Sequence, residues 1–313
     1  MTVRVITVAS MPPNLGEPLA ERFGALPLPD PGPERDAFLA EHGDTIEVAV
    51  AHAGGGVHAE LMDRLPALRV VAHFAVGYDS TDADAARERG ITLTNTPDVL
   101  NDCVADMAIA LTLDVLRMVS RGDRFIRAGQ WEAERWFPLS RRLTGSKVGI
   151  LGLGRIGEAI AHRLTAFDCE ISYHSRREVA GSPYAYHPSA TELAAANDVL
   201  IVMVPGGPAT EGLVDADVLA ALGPEGYLIN VARGSVVNHD DLIEALRTRT
   251  IAGAGLDVFP DEPHVPEALL EFDNVVLTPH VGSATVETRQ AMADVVLANV
   301  EAWFDRGELV TPV

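Results

Sequence analysis

The sequence predicts an α/β protein built around two parallel sheets. In the first third of the 313-residue chain, short apolar runs alternate with amphipathic helical segments, and the same alternation starts again near residue 147. A segment with apolar residues at helical spacing separates the two series. Strands that alternate with helices are typical of parallel sheets covered by helices, and a chain of this length can form two domains with separate cores.

The first series contains four predicted strands and two predicted helices. We expect strands at 3–9, 47–53, 69–75 and 91–94, and helices near 59–65 and 83–89. From Asp102 to about Ala128, apolar residues such as Val104, Ala108 and Leu111 recur at helical spacing. This segment is predicted to be one long helix that connects two domains.

The second series reads as a complete dinucleotide-binding sheet. Its strands are predicted at 148–151, 170–174, 199–204, 227–231, 253–258 and 275–277, with a helix at 156–167. Another long helical pattern covers 283–304. If that last helix returns to the first domain, the second domain is an insertion: we expect one domain at 1–98 and 285–313, and the other at 99–284.

Composition excludes several classes of function. The formal net charge is −21, which disfavours nucleic acid as a partner because that binding depends on many Lys and Arg contacts. No apolar stretch approaches the roughly 18 residues of a membrane span, and the first residues enter a strand without a signal-peptide pattern. We therefore expect a cytoplasmic protein without a membrane partner. Cys103 and Cys169 lack metal-ligand spacing, so no metal site is predicted.

A GxGxxG turn follows the first strand of the second series. The turn Gly152-Leu153-Gly154-Arg155-Ile156-Gly157 lies between a predicted strand and a predicted helix. Glycines let the backbone approach a pyrophosphate, and the amino end of the helix attracts anions. The motif alone is weak, but its context predicts a Rossmann domain. Gly152, Leu153, Gly154, Arg155 and Ile156 are its candidate cofactor-binding residues.

The following strand ends without the acidic residue that usually binds the adenine ribose about 20 residues after the glycine turn. That position is occupied by His174-Ser175-Arg176-Arg177. A carboxylate would repel a 2′-phosphate, whereas serine and arginine donors bind one. Ser175, Arg176 and Arg177 therefore predict NADP as the cofactor, with NADPH preferred over NADH.

Three chemically capable side chains follow later strands of the second series: Arg233, Glu262 and His280. Carboxyl ends of parallel strands line one crevice, so all three can face a nicotinamide. Reduction of a 2-oxo acid needs a cation that binds carboxylate and polarises the ketone, a proton donor, and a carboxylate that keeps the donor charged. Singly, each side chain also has an ordinary structural interpretation. Together, they fit these three roles in the order Arg233, His280 and Glu262.

At this point the chain resembles the D-isomer-specific 2-hydroxyacid dehydrogenases over essentially its whole length. The matching segments are 74–79 (FAVGYD), 95–100 (NTPDVL), the glycine turn, 230–234 (NVARG), 255–259 (GLDVF) with Glu262-Pro263, and 278–280 (TPH). Within that family, the His-Ser-Arg-Arg element is most similar to NADPH-using glyoxylate, hydroxypyruvate and hydroxyphenylpyruvate reductases. The resemblance implies a Rossmann cofactor domain inserted in a flavodoxin-like substrate domain, both of them doubly wound.

The resemblance also implies roles for individual residues. Arg233, Glu262 and His280 would form the catalytic set. The backbone at Val76 and Gly77, with the loop at 53–55 that contains Gly54, would bind the substrate carboxylate. The remaining cofactor contacts implied are Asp257 with the backbone at Val231 and Ala232 on the nicotinamide side, and Val204, Pro205 and Thr210 on the adenosine side. A homodimer through the cofactor domains is implied as well, with Trp131, Trp136 and Phe137 as candidate contacts.

The implied reaction is reduction of a small 2-oxo acid, such as glyoxylate, hydroxypyruvate or a phenylpyruvate, to the D-2-hydroxy acid. Two alternatives remain at this stage. One is an NAD-linked dehydrogenase that oxidises a larger hydroxy acid; the other is a catalytically silent, dinucleotide-sensing protein like a corepressor. The glycine run 54–56 also has the simpler interpretation of a flexible turn.

Overall fold

A computed structural model describes residues 2–52 and 54–313 of the chain. The chain divides into two compact units, one formed by the chain up to Leu100 together with Thr285–Val313, the other by Asn101–Ala284. The first unit is therefore discontinuous in sequence. Within the described residues, no helix combines the length and the apolar character that crossing a membrane requires.

The first unit contains a five-stranded parallel sheet with the order β2-β1-β3-β4-β5. Its strands are β1 (Val5–Thr7), β2 (Leu26–Pro27), β3 (Val48–Ala51), β4 (Val70–His73) and β5 (Thr92–Thr94). Its helices are α1 (Pro13–Phe23), α2 (Pro33–His42), α3 (Ala59–Asp63), α4 (Ala83–Glu88) and, at the end of the chain, α13 (Val286–Arg306). This strand order is that of flavodoxin-like sheets. Every residue of β3 and β4 is buried, as expected for central parallel strands.

The second unit contains a seven-stranded parallel sheet with the order β12-β11-β10-β9-β6-β7-β8. Its strands are β6 (Lys147–Leu151), β7 (Glu170–His174), β8 (Ala185–Tyr186), β9 (Val199–Val202), β10 (Tyr227–Asn230), β11 (Gly253–Leu256) and β12 (Val275–Leu277). Its helices are α5 (Asn101–Arg117), α6 (Val119–Arg127), α7 (Gln130–Glu134), α8 (Arg155–Thr165), α9 (Ala190–Ala195), α10 (Ala216–Leu222), α11 (His239–Arg247) and α12 (Glu267–Leu270). The strand order reverses between β6 and β9, which makes the crevice at their carboxyl ends the switch point where doubly wound sheets bind ligands.

The predicted fold class is confirmed, and several strands are shorter than expected. The strand predicted at 253–258, for example, ends at Leu256, so Asp257 already belongs to the loop at the carboxyl edge. The two-residue strands β2 and β8 are too short to produce a recognisable sequence pattern. The final helix begins at Val286 rather than 283 because the Thr285 side chain accepts a hydrogen bond from the Thr288 N–H at 3.3 Å.

The prediction of one long helix over 102–128 is wrong. The helix breaks at Met118, whose backbone is left-handed with φ 54° and ψ 40°. The Asp114 carboxylate caps the new start by accepting from the Ser120 N–H at 2.7 Å and from the Ser120 hydroxyl. Periodicity alone does not reveal such a break, because apolar residues continue at helical spacing on both sides of it.

Candidate active site

The glycines of the turn after β6 have three different structural roles. Gly152 has φ 108°, and a methyl group there would lie 2.6 Å from the Met203 carbonyl oxygen. A methyl group at Gly157 would lie 2.2 Å from the Gly152 carbonyl oxygen, so this glycine lets the helix approach the strand. At Gly154, by contrast, nothing lies within 4 Å of a would-be methyl group. The open backbone at Gly154 and the amino end of α8 fit a dinucleotide pyrophosphate.

The strand β7 ends at the segment predicted to bind a 2′-phosphate. The Ser175 hydroxyl donates to the Arg177 carbonyl at 2.7 Å, which folds the segment back on itself. The His174 ring stacks on Tyr186 with centroids 6.1 Å apart. Arg176 and Arg177 are exposed, so their guanidinium groups are accessible to an anion at this edge.

The loop after β9 contains the residues predicted at the adenosine side. Val204 and Pro205 begin two residues after the strand ends, and the Thr210 hydroxyl donates to the Pro205 carbonyl at 2.6 Å and to the Gly207 carbonyl at 3.2 Å. Thr210 therefore closes this loop on itself. Contact of the three predicted residues with the cofactor stays a prediction.

Arg233 follows β10 in a rigid segment that includes the buried Val231 and Ala232. The fully buried Asn230 fixes it from both sides: its side-chain oxygen accepts from the Ala232 N–H at 3.0 Å, and its amide donates to the Arg233 carbonyl at 2.9 Å. A methyl group at Gly234 would lie 2.0 Å from the Phe259 carbonyl carbon. The segment that carries Arg233 is thus held close to the segment that leads to Glu262.

Glu262 and His280 form a hydrogen-bonded pair. The His280 Nδ1 lies 2.6 Å from the Glu262 Oε2, and the Glu262 Oε1 accepts from the Phe259 N–H at 3.0 Å. Burial raises the pKa of Glu262, but the bonds to His280 and Phe259 and the positive charges of His280 and Arg233 outweigh it, so the pKa is lowered. The carboxylate is therefore charged and accepts the Nδ1 proton. Nε2, on the other side of the ring, is the nitrogen that can give a proton to a substrate.

Asp257 organises the turn that carries His280. Its carboxylate is 1% exposed and accepts from the Thr278 hydroxyl at 2.6 Å and from the backbone N–H groups of Val281 and Gly282 at 2.8 and 2.7 Å. Its carbonyl accepts from the His280 N–H at 2.9 Å. These bonds stabilise His280 in a left-handed conformation with φ 52°. The predicted role of Asp257 at the nicotinamide carboxamide stays a prediction.

In the first unit, the predicted carboxylate-binding residues follow β4. The Asn95 amide donates to the Val76 carbonyl at 2.9 Å and thereby holds this segment. Among residues 2–52 and 54–313, the structure records no acceptor for the backbone N–H of Val76 or of Gly77. Two successive N–H groups of this kind can bind a carboxylate.

The loop after β3 departs from the simple expectation for Gly54. Its N–H donates to the His52 Nδ1 at 2.8 Å, so this donor already has an acceptor within the protein. Ala53, which was predicted to belong to the same loop, lies outside the described residues. A direct contact between Gly54 and substrate stays a prediction.

Sequence reasoning missed three residues that shape these sites. Asn230 and Thr278 belong to the quoted motifs, but no role was predicted for them; a polar residue at the end of a buried strand is the signal that identifies Asn230. His52 has a similar position, directly after the buried strand β3. Its importance depends on a hydrogen bond that no sequence pattern indicates.

Together, the doubly wound sheet, the glycine turn and the polar groups at one sheet edge define a dinucleotide-binding α/β protein. Residues 109–282 match the model of the D-isomer specific 2-hydroxyacid dehydrogenase NAD binding domain. The chain belongs to the D-isomer specific 2-hydroxyacid dehydrogenase family. The resemblance recognised in the sequence is confirmed.

Relatives match over nearly their full lengths. A hydroxyphenylpyruvate reductase from Plectranthus scutellarioides is 45% identical, over 99% of each chain. A glyoxylate/hydroxypyruvate reductase A from Arabidopsis thaliana is also 45% identical, over 100% of this chain and 99% of its own. A solved structure of an NADPH-dependent glyoxylate/hydroxypyruvate reductase from Sinorhizobium meliloti, in complex with NADP and malonate, is 48% identical. It superposes with a TM-score of 0.92 over 100% of this chain and 97% of that one.

Proposed function

We propose that this protein is an NADPH-dependent reductase that converts a small 2-oxo acid, such as glyoxylate, hydroxypyruvate or a phenylpyruvate, to the D-2-hydroxy acid. The observation that carries this proposal is the hydrogen-bonded pair of His280 and Glu262 at 2.6 Å, with the charge of Arg233 near enough to lower the Glu262 pKa. The relatives named above act on substrates of this class.

Each of these residues has a distinct chemical task. When bound, the nicotinamide dinucleotide supplies the hydride that reduces the substrate carbonyl. His280 gives its Nε2 proton to the oxygen on which negative charge develops, and the Glu262 carboxylate stabilises the imidazolium before that transfer. Arg233 stabilises the growing charge; a preorganised donor of this kind typically contributes about 10²- to 10³-fold in rate.

We propose that the backbone N–H groups of Val76 and Gly77 bind the substrate carboxylate. Their position after β4, together with the absence of a recorded acceptor among residues 2–52 and 54–313, supports this role. The relative from Sinorhizobium meliloti was solved with malonate, which like a 2-oxo acid is a small molecule with a carboxylate group.

We propose that NADPH is preferred over NADH because Arg176 and Arg177 are exposed where an NAD enzyme has an acid. The solved relative in complex with NADP supports this preference. Replacing both arginines with glutamine is expected to raise the KM for NADPH by about 100-fold or more, with little change for NADH, because each of the two contacts to a charged group is worth about 1.5–3 kcal/mol. Arg142→Gln, at an exposed arginine of the same unit, is the matched control.

A panel of 2-oxo acids with both cofactors, followed at the NADPH absorbance band, tests the proposed function. We expect oxidation of NADPH with glyoxylate, hydroxypyruvate or a phenylpyruvate. A higher kcat/KM with NADH would favour the NAD-linked alternative. Binding of NADPH without turnover of any 2-oxo acid would favour the dinucleotide sensor.

We also propose a cytoplasmic homodimer formed through the second unit. Large apolar side chains are unusually exposed in one segment of that unit, between residues 119 and 139. They are Val119, Ile126, Trp131, Trp136 and Leu139, with exposures of 59 to 92%. A cluster of exposed tryptophans and aliphatics indicates a surface that another protein surface covers. A second copy of this chain is the proposed occupant.

A further inference from the structure

In the loop that follows β3, the glycines are held by the side chain of the first loop residue, His52. The His52 Nδ1 accepts a hydrogen bond from the Gly54 N–H at 2.8 Å, and the Gly55 N–H donates to the His52 carbonyl at 3.0 Å. A methyl group at Gly54 would lie 2.8 Å from the His52 Cε1, so the imidazole lies directly against this glycine. Because Nδ1 accepts, it carries no proton in this arrangement.

The other glycines of the loop fit tightly between neighbouring segments. A methyl group at Gly55 would lie 2.9 Å from the Ala9 Cβ, and one at Gly56 would lie 1.8 Å from the Ser80 carbonyl oxygen. Gly55 and Gly56 are therefore packed closely against neighbouring segments, and they provide no side chains of their own to hold them there. This packing argues against the simpler interpretation of the glycine run as a flexible turn.

The loop leaves the sheet beside the segment proposed to bind the substrate carboxylate. The strand β3 pairs with β4, with Ala51 opposite His73, and Val76 and Gly77 follow β4 by a few residues. Parallel strands release their loops at the same edge. The conformation of the loop after β3 can therefore influence the surface next to the Val76 and Gly77 N–H groups.

The surroundings of His52 favour the neutral ring. Burial lowers the pKa of His52, a backbone hydrogen bond with Ser10 raises it, and the positive charge of Arg289 on α13 lowers it; overall the pKa is lowered. The other titratable neighbour is His73 on β4. Its pKa is lowered to about 4, because the effect of burial outweighs the charge of Asp79, which raises the pKa. The imidazole of His52 is therefore uncharged near neutral pH and gains a proton only on acidification.

We infer that His52 is a positioning residue for substrate binding, whose neutral imidazole holds residues 54–56 in place through the Gly54 N–H. This inference rests on the proposed function, because it concerns the same 2-oxo acid site. Protonation of Nδ1 removes the acceptor and replaces it with a donor that faces the Gly54 N–H. The hydrogen bond to Gly54 is then lost, and the affinity for the 2-oxo acid falls. The proton transfer from His280 is not affected, because its hydrogen-bond partners do not change.

Two substitutions distinguish the role of the Nδ1 acceptor from the role of the other atoms of the imidazole ring. His52→Leu removes the acceptor, whereas in His52→Asn the side-chain oxygen can accept from the N–H two residues further on, as in an Asx-turn. We expect His52→Leu to raise the KM of the 2-oxo acid by about ten-fold, the effect of one lost hydrogen bond, with kcat and the KM of NADPH nearly unchanged. His52→Asn is expected to restore the wild-type KM near pH 8. His58→Leu, at an exposed histidine next to the loop, is the control.

The pH dependence of the KM of the 2-oxo acid distinguishes this role from a purely structural one, which would not change that dependence. On acidification below the ordinary pKa of histidine, the KM of the 2-oxo acid is expected to rise in the wild type as His52 gains a proton, and this component is expected to be missing in His52→Asn. Equal KM values for His52→Leu and wild type, or equal acid dependence for His52→Asn and wild type, would overturn the inference.

Hydrogen exchange distinguishes this inference from the proposed function. Peptides that cover 52–57 are expected to exchange faster in His52→Leu than in wild type or His52→Asn, whether or not the protein reduces any 2-oxo acid. If the wild-type protein shows no turnover but the variants show this exchange pattern, the proposed substrate is wrong. The role of His52 in the loop is then still supported. Identical exchange in all three proteins would refute that role.

Discussion

At the scale of single residues, the direction of one hydrogen bond gives two histidines opposite properties. In His280, the charged Glu262 accepts from Nδ1, so the ring can carry two protons and lose one from Nε2. In His52, Nδ1 accepts from the Gly54 N–H, so the ring has to stay neutral. The same side chain is thus suited to proton donation in one place and to positioning in the other.

Loss of the His280 imidazole is expected to remove most of the turnover. His280→Ala removes the proposed proton donor but leaves the glycine turn intact, so turnover should fall by about 10²- to 10⁴-fold. Titration of NADPH by isothermal calorimetry should give a Kd close to that of the wild type. Substantial retained turnover would contradict the assignment of His280 as the proton donor.

Glu262→Gln tests the charge of the pair separately from its geometry. Glutamine can still accept from the Phe259 N–H, but it no longer stabilises an imidazolium, so we expect kcat to fall by about 10- to 100-fold. Because the pKa of Glu262 is lowered from 4.5, the carboxylate stays charged on acidification until the pH falls below that value. Titration of Glu262 itself should therefore cause no loss of rate above about pH 5.

The adjacent Asp261 supplies the control for this change. Its side chain is 90% exposed, and Asp261→Asn removes the same charge one residue away from the pair. Kinetics of both variants over the same pH range separate a local effect from a general one. Equal kcat values in the two variants would show that the Glu262 charge has no special role.

Asp257→Asn is expected to weaken both the fold and the reaction. The asparagine amide cannot accept from all of the donors that the carboxylate now binds, and a buried donor left without an acceptor costs about 1–3 kcal/mol. We expect the free energy of unfolding to fall by about 2 kcal/mol and kcat to fall because the turn of His280 loosens. Denaturant unfolding and steady-state kinetics measure the two effects; an unchanged kcat would contradict the positioning of His280 by Asp257.

At the scale of secondary-structure elements, the connection between β6 and α8 combines a requirement for packing with a requirement for binding. Gly157 lets the helix lie against the Gly152 carbonyl, whereas Gly154 leaves the backbone open. Gly154 and Gly157 lie three and six residues beyond the end of β6 and are chemically identical. Their surroundings differ: Gly157 is needed for packing, whereas the open space at Gly154 supports its proposed contact with the cofactor.

This difference predicts opposite results for two alanine substitutions. Gly154→Ala has space for its methyl group and an extended backbone, so Tm should stay close to the wild-type value while the KM for NADPH rises by about ten-fold or more. Gly157→Ala places a methyl group 2.2 Å from the Gly152 carbonyl oxygen and should lower the Tm by several degrees. Thermal unfolding and NADPH kinetics of both variants check this. A lower Tm for Gly154→Ala than for Gly157→Ala would contradict the assignment.

At the scale of the whole molecule, charge and exposed apolar surface have separate consequences. A net charge of −21 keeps copies of the chain apart at long range, but this repulsion is screened within about 8–10 Å at physiological salt. The exposed apolar residues between 119 and 139 offer a surface whose burial can outweigh that repulsion. The proposed dimer therefore depends on this segment.

Charges placed in the segment are expected to dissociate the dimer. Ile126→Glu combined with Trp131→Glu buries two carboxylates in the proposed interface and should convert a dimer to a monomer in sedimentation or light-scattering measurements. Leu270→Glu, at an apolar residue of the same unit that is 64% exposed but lies outside the segment, is the control. A wild-type protein that is monomeric at all concentrations would refute the proposed dimer.

The amino-acid sequence was sufficient to predict the fold class and the family, and it indicated the glycine turn and the candidate set of Arg233, Glu262 and His280. These features depend on local patterns, since a parallel strand is a continuous apolar run and a strand end is where the run stops. The strand order and the side of the sheet on which polar groups meet then follow from general rules of parallel sheets.

The specific contacts between atoms could be seen only in the folded structure. The break at Met118, the three bonds to the buried Asp257 and the acceptor role of His52 depend on backbone geometry and on residues distant in sequence. Periodicity reports which face of an element is buried, but hydrogen-bond direction and burial of a single carboxylate arise from the packing of several segments at once. The sequence therefore determined which chemical groups the protein brings to its sheet edges, and the folded structure decided how each group is protonated and held.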